Sequence, residues 1–398
     1  EQEAKKVNFG YYGEYAVWRD RPIEDVESAI AAGKPWVLRF RSTGSIENKF
    51  KYSDLVKGTL TVTENDIDQV LLKSDGIPTY HFAHIIDDHF MGTTHVVRGE
   101  EWLATLNIHL QLFRTMGWKA PKYVHTAQLM KMDGGSKRKL SKRKDPELAL
   151  DFYNAEGYPV PSVLEYLMTL LNSNFEDWRL ANPTAPMGDF QFTTKKMGNS
   201  GSLFDIDKLK DVSKNTISVM SADQVYDEVT AWAKDFDPQL YTLLTADQQK
   251  AKAIFAIGRG GAKPRKDIAI WSEVKDYVAF FYEELFTAAS EYPENVSTQD
   301  ALDILTQYRS LYSPADDGET WFNKVRELGE SLGFAAKPKD YKKNPDQYKG
   351  HVGDVSQVIR LAITGRTNSP DLCSVMQILG EEVCQQRLAQ AIELLSNR

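Results

Sequence analysis

The sequence predicts a multi-domain protein in which an α/β part, holding half of a parallel sheet, is followed by an all-α part. Three observations lead there. The 398 residues exceed what a single hydrophobic core usually organises. A β-branched run at Thr94 to Arg98 leads into Leu103, Leu106, Leu110 and Phe113 at helical spacing, and then into a second extended run, Lys122 to Thr126. Toward the C-terminus, Val355, Val358, Ile359, Ala362 and Ile363 form one helical stripe, and Leu388, Ala391, Ile392 and Leu395 another.

Residues 1–75 mix strand-like stretches, Trp36 to Arg41 and Thr59 to Val62, with a helical one, Ile23 to Ala32, and read as a small α/β module. Residues 76–150 carry the strand, helix, strand order of a parallel half-sheet, whose ligands gather beyond the carboxyl ends of the strands. The segment that follows, Met132 to Lys144, is therefore placed to be functional. It holds Gly134, Gly135 and Ser136, then Lys137, Arg138, Lys139, Lys142, Arg143 and Lys144, and reads as a mobile basic loop. Residues 151–215 contain an apolar helix, Val163 to Leu171, and an irregular loop, Asn182 to Gly188. Residues 216–398 read as helical almost throughout. Within them Ser369 and Pro370 look like an N-cap and first turn, and Lys337 to Lys349 looks like an exposed loop. Gly258-Arg259-Gly260-Gly261 has no strand before it, so it reads as a turn rather than a dinucleotide loop.

Composition narrows the class. A hydrophobic fraction of 42% and a charged fraction of 26% are those of a globular protein. No apolar run approaches the roughly 20 residues of a membrane span. Two cysteines, Cys373 and Cys384, are too few for a disulfide framework and wrongly spaced for a zinc knuckle, which points to a reducing cytoplasm. The opening Glu1 to Lys6 is charged and lacks Met, and reads like a cut chain. A net charge of -8 does not speak for nucleic acid, but phosphate binding depends on local patches.

Chemistry concentrates in two segments. Lys139-Leu140-Ser141-Lys142-Arg143 places two lysines three apart, able to close over a triphosphate and neutralise charge as pyrophosphate leaves. A Lys/Arg run alone is more often a solvated surface. The second segment runs from Lys73-Ser74-Asp75-Gly76 through Tyr80-His81-Phe82-Ala83-His84 and Asp87-Asp88-His89 to Val96-Val97-Arg98-Gly99-Glu100-Glu101-Trp102. Together the two closely resemble bacterial-type glutamyl-tRNA synthetases of class I, in which the loop is a variant of the KMSKS motif. The resemblance continues through Tyr153 to Leu171 and the Gly365-Arg366-Thr367 turn.

The resemblance implies a set of roles. Arg98 pairs with a glutamate carboxylate, for which a guanidinium fork is suited. Tyr80 lines the same pocket, and His84 stands where the family often has Asn. Glu101 and Trp102 approach the ATP and the tRNA-terminal adenosine, and Lys139, Leu140, Ser141, Lys142 and Arg143 bind ATP phosphates, with Lys142 and Lys139 as the catalytic pair. Arg366 belongs to the tRNA-binding surface. The domains become a remaining acceptor-stem-binding insertion (1–75), the second half of a Rossmann-type catalytic domain (76–150), a stem-contact region (151–215) and an anticodon-binding domain (216–398). The implied reaction is activation of L-glutamate by ATP with Mg²⁺, dependent on tRNA, and transfer to tRNA(Glu) by a cytoplasmic monomer. None of the seven histidines sits in a HIGH-like tetrapeptide, so the expectation is an N-terminally truncated chain, inactive alone. The alternative is a non-catalytic tRNA-binding fragment or truncated paralogue. A glutaminyl enzyme fits less well, because those usually end in β-barrels. His81, His84, His89 and His95 match no metal-ligand spacing, and no cysteine exists in the insertion, so neither a metal site nor zinc is expected.

Overall fold

The computed structural model describes residues 1–7 and 9–397, which divide into two compact units: residues 1–7 and 9–140 with 167–204, and residues 141–166 with 205–397.

In the first unit, α1 (Ile23–Ala31) is followed by β1 (Leu38–Arg39), β2 (Lys49–Asp54), β3 (Gly58–Thr63) and β4 (Val70–Leu72); β1 pairs with β4 and β2 with β3, both antiparallel. The β2–β3 turn is fixed by Asp54, whose Oδ1 accepts the amides of Val56 at 2.9 Å and Lys57 at 2.8 Å, and by Gly58 at φ +72°. An aspartate that binds its own backbone two residues on is a standard turn former. Next come α2 (Tyr80–Phe90), β5 (His95–Gly99), a 3₁₀ turn Glu100–Thr105, α3 (Leu106–Thr115) and β6 (Lys122–Thr126). β5 and β6 are parallel, with Arg98 opposite His125, so strand, helix, strand forms the expected half-unit. Ile85 from α2 and Ile108, Leu112 and Phe113 from α3 bury against Phe40. The helical reading of 100–116 needs one refinement, since its first turn is 3₁₀.

Met132 to Lys139 is not a mobile loop. β7 (Leu129–Asp133) and β8 (Ser136–Lys139) form a hairpin around Gly134 (φ +54°) and Gly135 (φ +87°). Two central residues at positive φ match the twist of the flanking strands, which makes Gly-Gly a hairpin signal.

In the second unit, α4 (Leu150–Glu156) precedes α5 (Val160–Leu171), which the unit boundary crosses; α6 (Phe175–Ala181) and β9 (Ser202–Leu203), which runs parallel to β7, belong to the first unit. The helical series then comprises α7 (Ile206–Ser218), α8 (Ala222–Phe236), α9 (Pro238–Ala246), α10 (Gln248–Ala256), α11 (Val274–Val278), α12 (Thr298–Leu311), α13 (Gly318–Ser331), α14 (Pro338–Lys343), α15 (Val352–Thr364), α16 (Leu372–Leu379) and α17 (Glu381–Ser396). The two stripes expected from sequence face one core: Val355, Val358, Ile359, Ala362 and Ile363 of α15 are buried beside Leu388, Ala391 and Leu395 of α17.

Two local expectations are corrected here. Asp371, not Ser369, caps α16, accepting the Ser374 amide at 2.8 Å; Ser369 is buried and takes a hydrogen bond from Arg360. Lys337 to Lys349 contains α14 and a 3₁₀ turn, because Pro338 and Pro345 each start a helical turn where a missing N–H costs nothing. Arg259 lies half-buried in an irregular turn after α10, and its guanidinium donates to the carbonyls of Phe255 at 2.7 Å and Ile217 at 2.6 Å. It ties α10 to α7.

Candidate active site

The site lies in the first unit, on the side chains that β5, β6, α2 and α3 turn toward one another. Parallel pairing puts Arg98 and His125 side by side, and the two-residue repeat of β6 adds Tyr123 to that face. The Arg98 guanidinium lies 4.6 Å from the centre of the Tyr123 ring and 5.8 Å from that of Trp102. Its Nε donates to His125 Nε2 at 3.0 Å, and Nη1 lies 3.1 Å from His109 Nδ1. Nη2 is buried and has no hydrogen-bond partner. A buried, unpaired guanidinium nitrogen is costly, and such groups mark places where a ligand completes the bonding.

Helical spacing on α2 brings Tyr80, His81 and His84 to the same place. Tyr80, 49% exposed, sits 4.6 Å from Trp102 and stacks on His84 at 5.7 Å between ring centres. His84 Nε2 is 2.9 Å from the Tyr123 hydroxyl, and its Nδ1 is 3.0 Å from Asp88 Oδ2 without hydrogen-bond alignment. Tyr80, His84, Arg98 and Trp102, the residues singled out in sequence, are therefore neighbours.

The histidines regroup. His81 and His84 join His109 and His125, whereas His89 stacks on Trp118 at 3.9 Å and His95 is exposed beside the Thr94 hydroxyl. Burial, then the charge of Arg98, pushes His81 below the ordinary histidine range; burial does the same to His84 despite the opposing pull of Asp88. His109 is driven down to about 2 by burial and by His84, Arg98 and the other imidazoles. These rings are neutral at pH 7. Burial also raises the Tyr123 hydroxyl, keeping it protonated.

Sequence reasoning missed His109, Tyr123, His125 and Asp54. Asp54 and His125 are both fully buried, with 2.6 Å between Asp54 Oδ2 and His125 Nδ1. Burial pushes the Asp54 carboxyl up, but the hydrogen bonds from His125 and from the Lys57 and Val56 amides outweigh it and hold the group below its usual range. The signal was present in outline, since His125 lies one position before the end of a strand parallel to that of Arg98.

Beside this cluster, the Glu101 carboxylate fills the space over Gly99: a Cβ there would come within 2.2 Å of Glu101 Oε2. Gln128 Nε2 donates to the same oxygen at 3.4 Å. Glu100 is bound by Lys57, whose ammonium holds its carboxyl below the usual range and also donates to the Asn199 carbonyl at 2.6 Å. Lys139 ends β8 with its side chain exposed, and Leu140, buried, donates its amide to the Leu129 carbonyl at 3.0 Å. In the second unit, Ser141 begins a turn closed by Asp145, whose Oδ2 accepts the Ser141 amide at 2.7 Å; Lys142 and Arg143 project from it exposed. Arg366 follows Gly365 and forms a two-pronged ion pair with Asp276 at 2.6 and 2.7 Å.

A separate cavity of about 410 Å³ in the first unit is lined in part by Trp18, Lys34, Trp36, Arg39 and Arg41. Lys34 Nζ stands 4.3 Å over the Trp18 ring, and Trp36 is 53% exposed.

Among the described residues no group of three or more His, Cys, Asp or Glu side chains could hold a metal ion. Among the described residues no helix is long and apolar enough to cross a membrane.

Residues 11–211 match the family of class I tRNA synthetases (E and Q), catalytic domain, and residues 224–392 match the anticodon binding domain. The chain is 49% identical over 392 residues to a glutamate–tRNA ligase of Acetivibrio thermocellus, covering 98% of this chain and 72% of that one. It is 47% identical over 398 residues to the corresponding ligase of Clostridium beijerinckii, again covering 72% of it. The crystal structure of a glutamate tRNA ligase from Elizabethkingia meningosepticum in complex with its amino acid superposes with a TM-score of 0.73 at 25% identity, covering 98% of this chain and 76% of that one.

Proposed function

The chain belongs to the glutamate–tRNA ligase family, class I catalytic part followed by an all-helical anticodon-binding part, and from that premise we propose which of its residues perform the ATP-dependent charging of tRNA(Glu) with L-glutamate. The observation that carries the assignment is Arg98 Nη2, a buried donor without a partner beside the half-exposed Tyr80 and Trp102. A guanidinium with one arm unfilled accepts a planar carboxylate, and the neutral rings of His81, His84 and His109 add no rival positive charge. Tyr80 and Trp102 supply an aromatic wall, and His84 occupies the position next to Tyr80 on the helix.

ATP is the second substrate, and Mg²⁺ enters with it. Lys139 and Lys142 neutralise the triphosphate as pyrophosphate departs, with Leu140, Ser141 and Arg143 shaping the phosphate-binding turn; Glu101 and Trp102 face the nucleotide and the terminal adenosine of the tRNA. Positioning and charge stabilisation suffice for this chemistry, so no side-chain nucleophile is required. Residues 1–75 take the acceptor stem, for which cations interleaved with exposed aromatics, as at Trp18, Lys34, Trp36 and Arg41, are suited. Residues 76–150 act as catalytic half-sheet, 151–215 as stem contact and 216–398 as anticodon reader. Arg366 exchanges Asp276 for a tRNA phosphate. The protein works as a cytoplasmic monomer without zinc.

The alternative reading is a tRNA-binding protein without chemistry. The two readings separate on tRNA-dependent glutamate charging by residues 1–398 and by a version extended with a family-like N-terminal half. We expect charging by the extended version alone, abolished by Lys142→Ala. Tight tRNA binding with no charging by either version would establish the binding protein instead.

A further inference from the structure

A guanidinium only donates hydrogen bonds, and this fixes the direction of every bond around Arg98. The acceptors of Nε–H and Nη1–H, His125 Nε2 at 3.0 Å and His109 Nδ1 at 3.1 Å, must both carry lone pairs. His109 is therefore protonated on Nε2 and donates to His81 Nδ1 at 3.0 Å. His125 is protonated on Nδ1 and donates to Asp54 Oδ2 at 2.6 Å. The other oxygen of Asp54 is already committed to the Val56 and Lys57 amides at 2.9 and 2.8 Å. One carboxylate thus joins the β2–β3 turn to the tautomer of a histidine 71 residues away.

We propose that Asp54 is a positioning residue for substrate recognition: by holding His125 in its Nδ1–H tautomer, it fixes Arg98 with Nη2 left open for the glutamate carboxylate. This rests on the assignment of Arg98 to the glutamate pocket. The ring orientation of a functional histidine is commonly set by the bond its second nitrogen makes. Here the histidine orients an arginine in turn. In Asp54→Asn the amide oxygen stays with the two backbone amides, so its NH₂ faces His125 Nδ1. His125 must then carry its proton on Nε2, where it opposes the Nε–H of Arg98, and two donors cannot share that gap. In His125→Gln the amide oxygen accepts the Arg98 Nε–H whatever stands at position 54.

The test uses the full-length ligase with tRNA, reading KM for glutamate, ATP and tRNA separately, and imidazole ¹⁵N spectra. We expect Asp54→Asn to raise the glutamate KM at least tenfold, leave the ATP and tRNA values within threefold, and move the His125 proton from Nδ1 to Nε2. In a His125→Gln background, whatever glutamate KM that variant sets, Asp54→Asn changes it less than twofold. A changed tautomer with an unchanged glutamate KM overturns the proposal, as does an undiminished Asp54 effect in the His125→Gln background. Where Asp54→Asn does not fold, the comparison of His125→Gln with His125→Leu decides, since equal losses remove the need for an acceptor at Nε2. Arg98→Ala with an unchanged glutamate KM removes the pocket assignment itself, a failure distinct from an imidazole spectrum that shows the wrong tautomer.

Discussion

Replacing Gly365 by alanine tests the turn that ends α15 and presents Arg366. Gly365 lies at φ +70°, ψ 7°, the left-handed C-cap, and donates its amide to the Leu361 carbonyl. An alanine held there costs about 1–2 kcal/mol of backbone conformation. The new Cβ would also stand 2.0 Å from the carbonyl oxygen of Thr287, whereas carbon and oxygen normally stay beyond roughly 3.3 Å. That oxygen is backbone and cannot swing aside as a side chain can, so relief of the overlap adds about 1–3 kcal/mol, as in other overpacked sites. The sum is about 2–5 kcal/mol. In a unit of this size each kcal/mol lowers the midpoint by roughly 2–4 °C, so the helical unit should melt about 10 °C lower. Differential scanning calorimetry of the chain reads this directly. Gly260→Ala is the control: φ is +74° but nothing lies within 4 Å of the added Cβ, so only the conformational part, about 1–2 kcal/mol, remains. A Gly365→Ala midpoint within about 2 °C of the parent, or equal effects at the two glycines, would refute the argument from the Thr287 contact.

Stability of the first unit should fall in mild acid. A histidine whose folded pKa lies far below its ordinary 6.5, as the value of about 2 for His109 does, binds more protons when unfolded. Its contribution is fully kept above pH 6.5 and is lost at about 1.4 kcal/mol per pH unit below it. Unfolding free energies from urea titrations at pH 7 and pH 5 should therefore differ by about 2 kcal/mol from this ring alone, and a stability unmoved by pH argues that His109 charges in the folded state. Gly99→Ala should leave thermal stability within about 1 kcal/mol, because the atom its Cβ meets is the mobile end of Glu101 rather than backbone; charging activity should nevertheless drop as Glu101 is displaced, and retained activity would clear Glu101 of any role near the nucleotide. At α16, Asp371→Ala should cost about 1 kcal/mol as the loss of a helix cap, measured by chemical denaturation; no loss there would return the capping role to the Ser369 region.

The architecture is legible in the sequence because its signals are local. Helical stripes on α15 and α17 repeat within a dozen residues and are buried as their spacing requires, and the strand, helix, strand order of β5, α3 and β6 is contiguous between residues 95 and 126. Where local signals compete, the more conspicuous one misleads. Ser369-Pro370 has the chemistry of a helix start, yet the charged oxygen of Asp371, just beyond that pair, is the one that takes the first-turn amide of α16. Lysines and arginines dominate 132–144, although the Gly-Gly pair between alternating residues is the feature that determines the backbone there.

The site divides along the same line. Tyr80 and His84 are one helical turn apart, and Arg98 and Trp102 are four residues apart, so a linear motif contains all four. What surrounds Arg98 has no such proximity: His125 reaches it only because β5 and β6 are parallel and in a register that no single strand specifies, and Asp54 reaches His125 from a hairpin 71 residues upstream. A sequence reveals groups that would touch substrate more readily than groups that aim them, since the first cluster along the chain and the second are assembled by tertiary pairing. The four histidines make the point concretely. Read along the chain, His81, His84, His89 and His95 form a set; in space, two of them are exchanged for His109 and His125. The exchange replaces a surface cluster without ligand spacing by a buried hydrogen-bond chain with Arg98 at its centre, and buried polar chains hold one geometry only when each donor meets an acceptor. The buried Nη2 of Arg98, which has no partner, is then the position where a substrate carboxylate gains most.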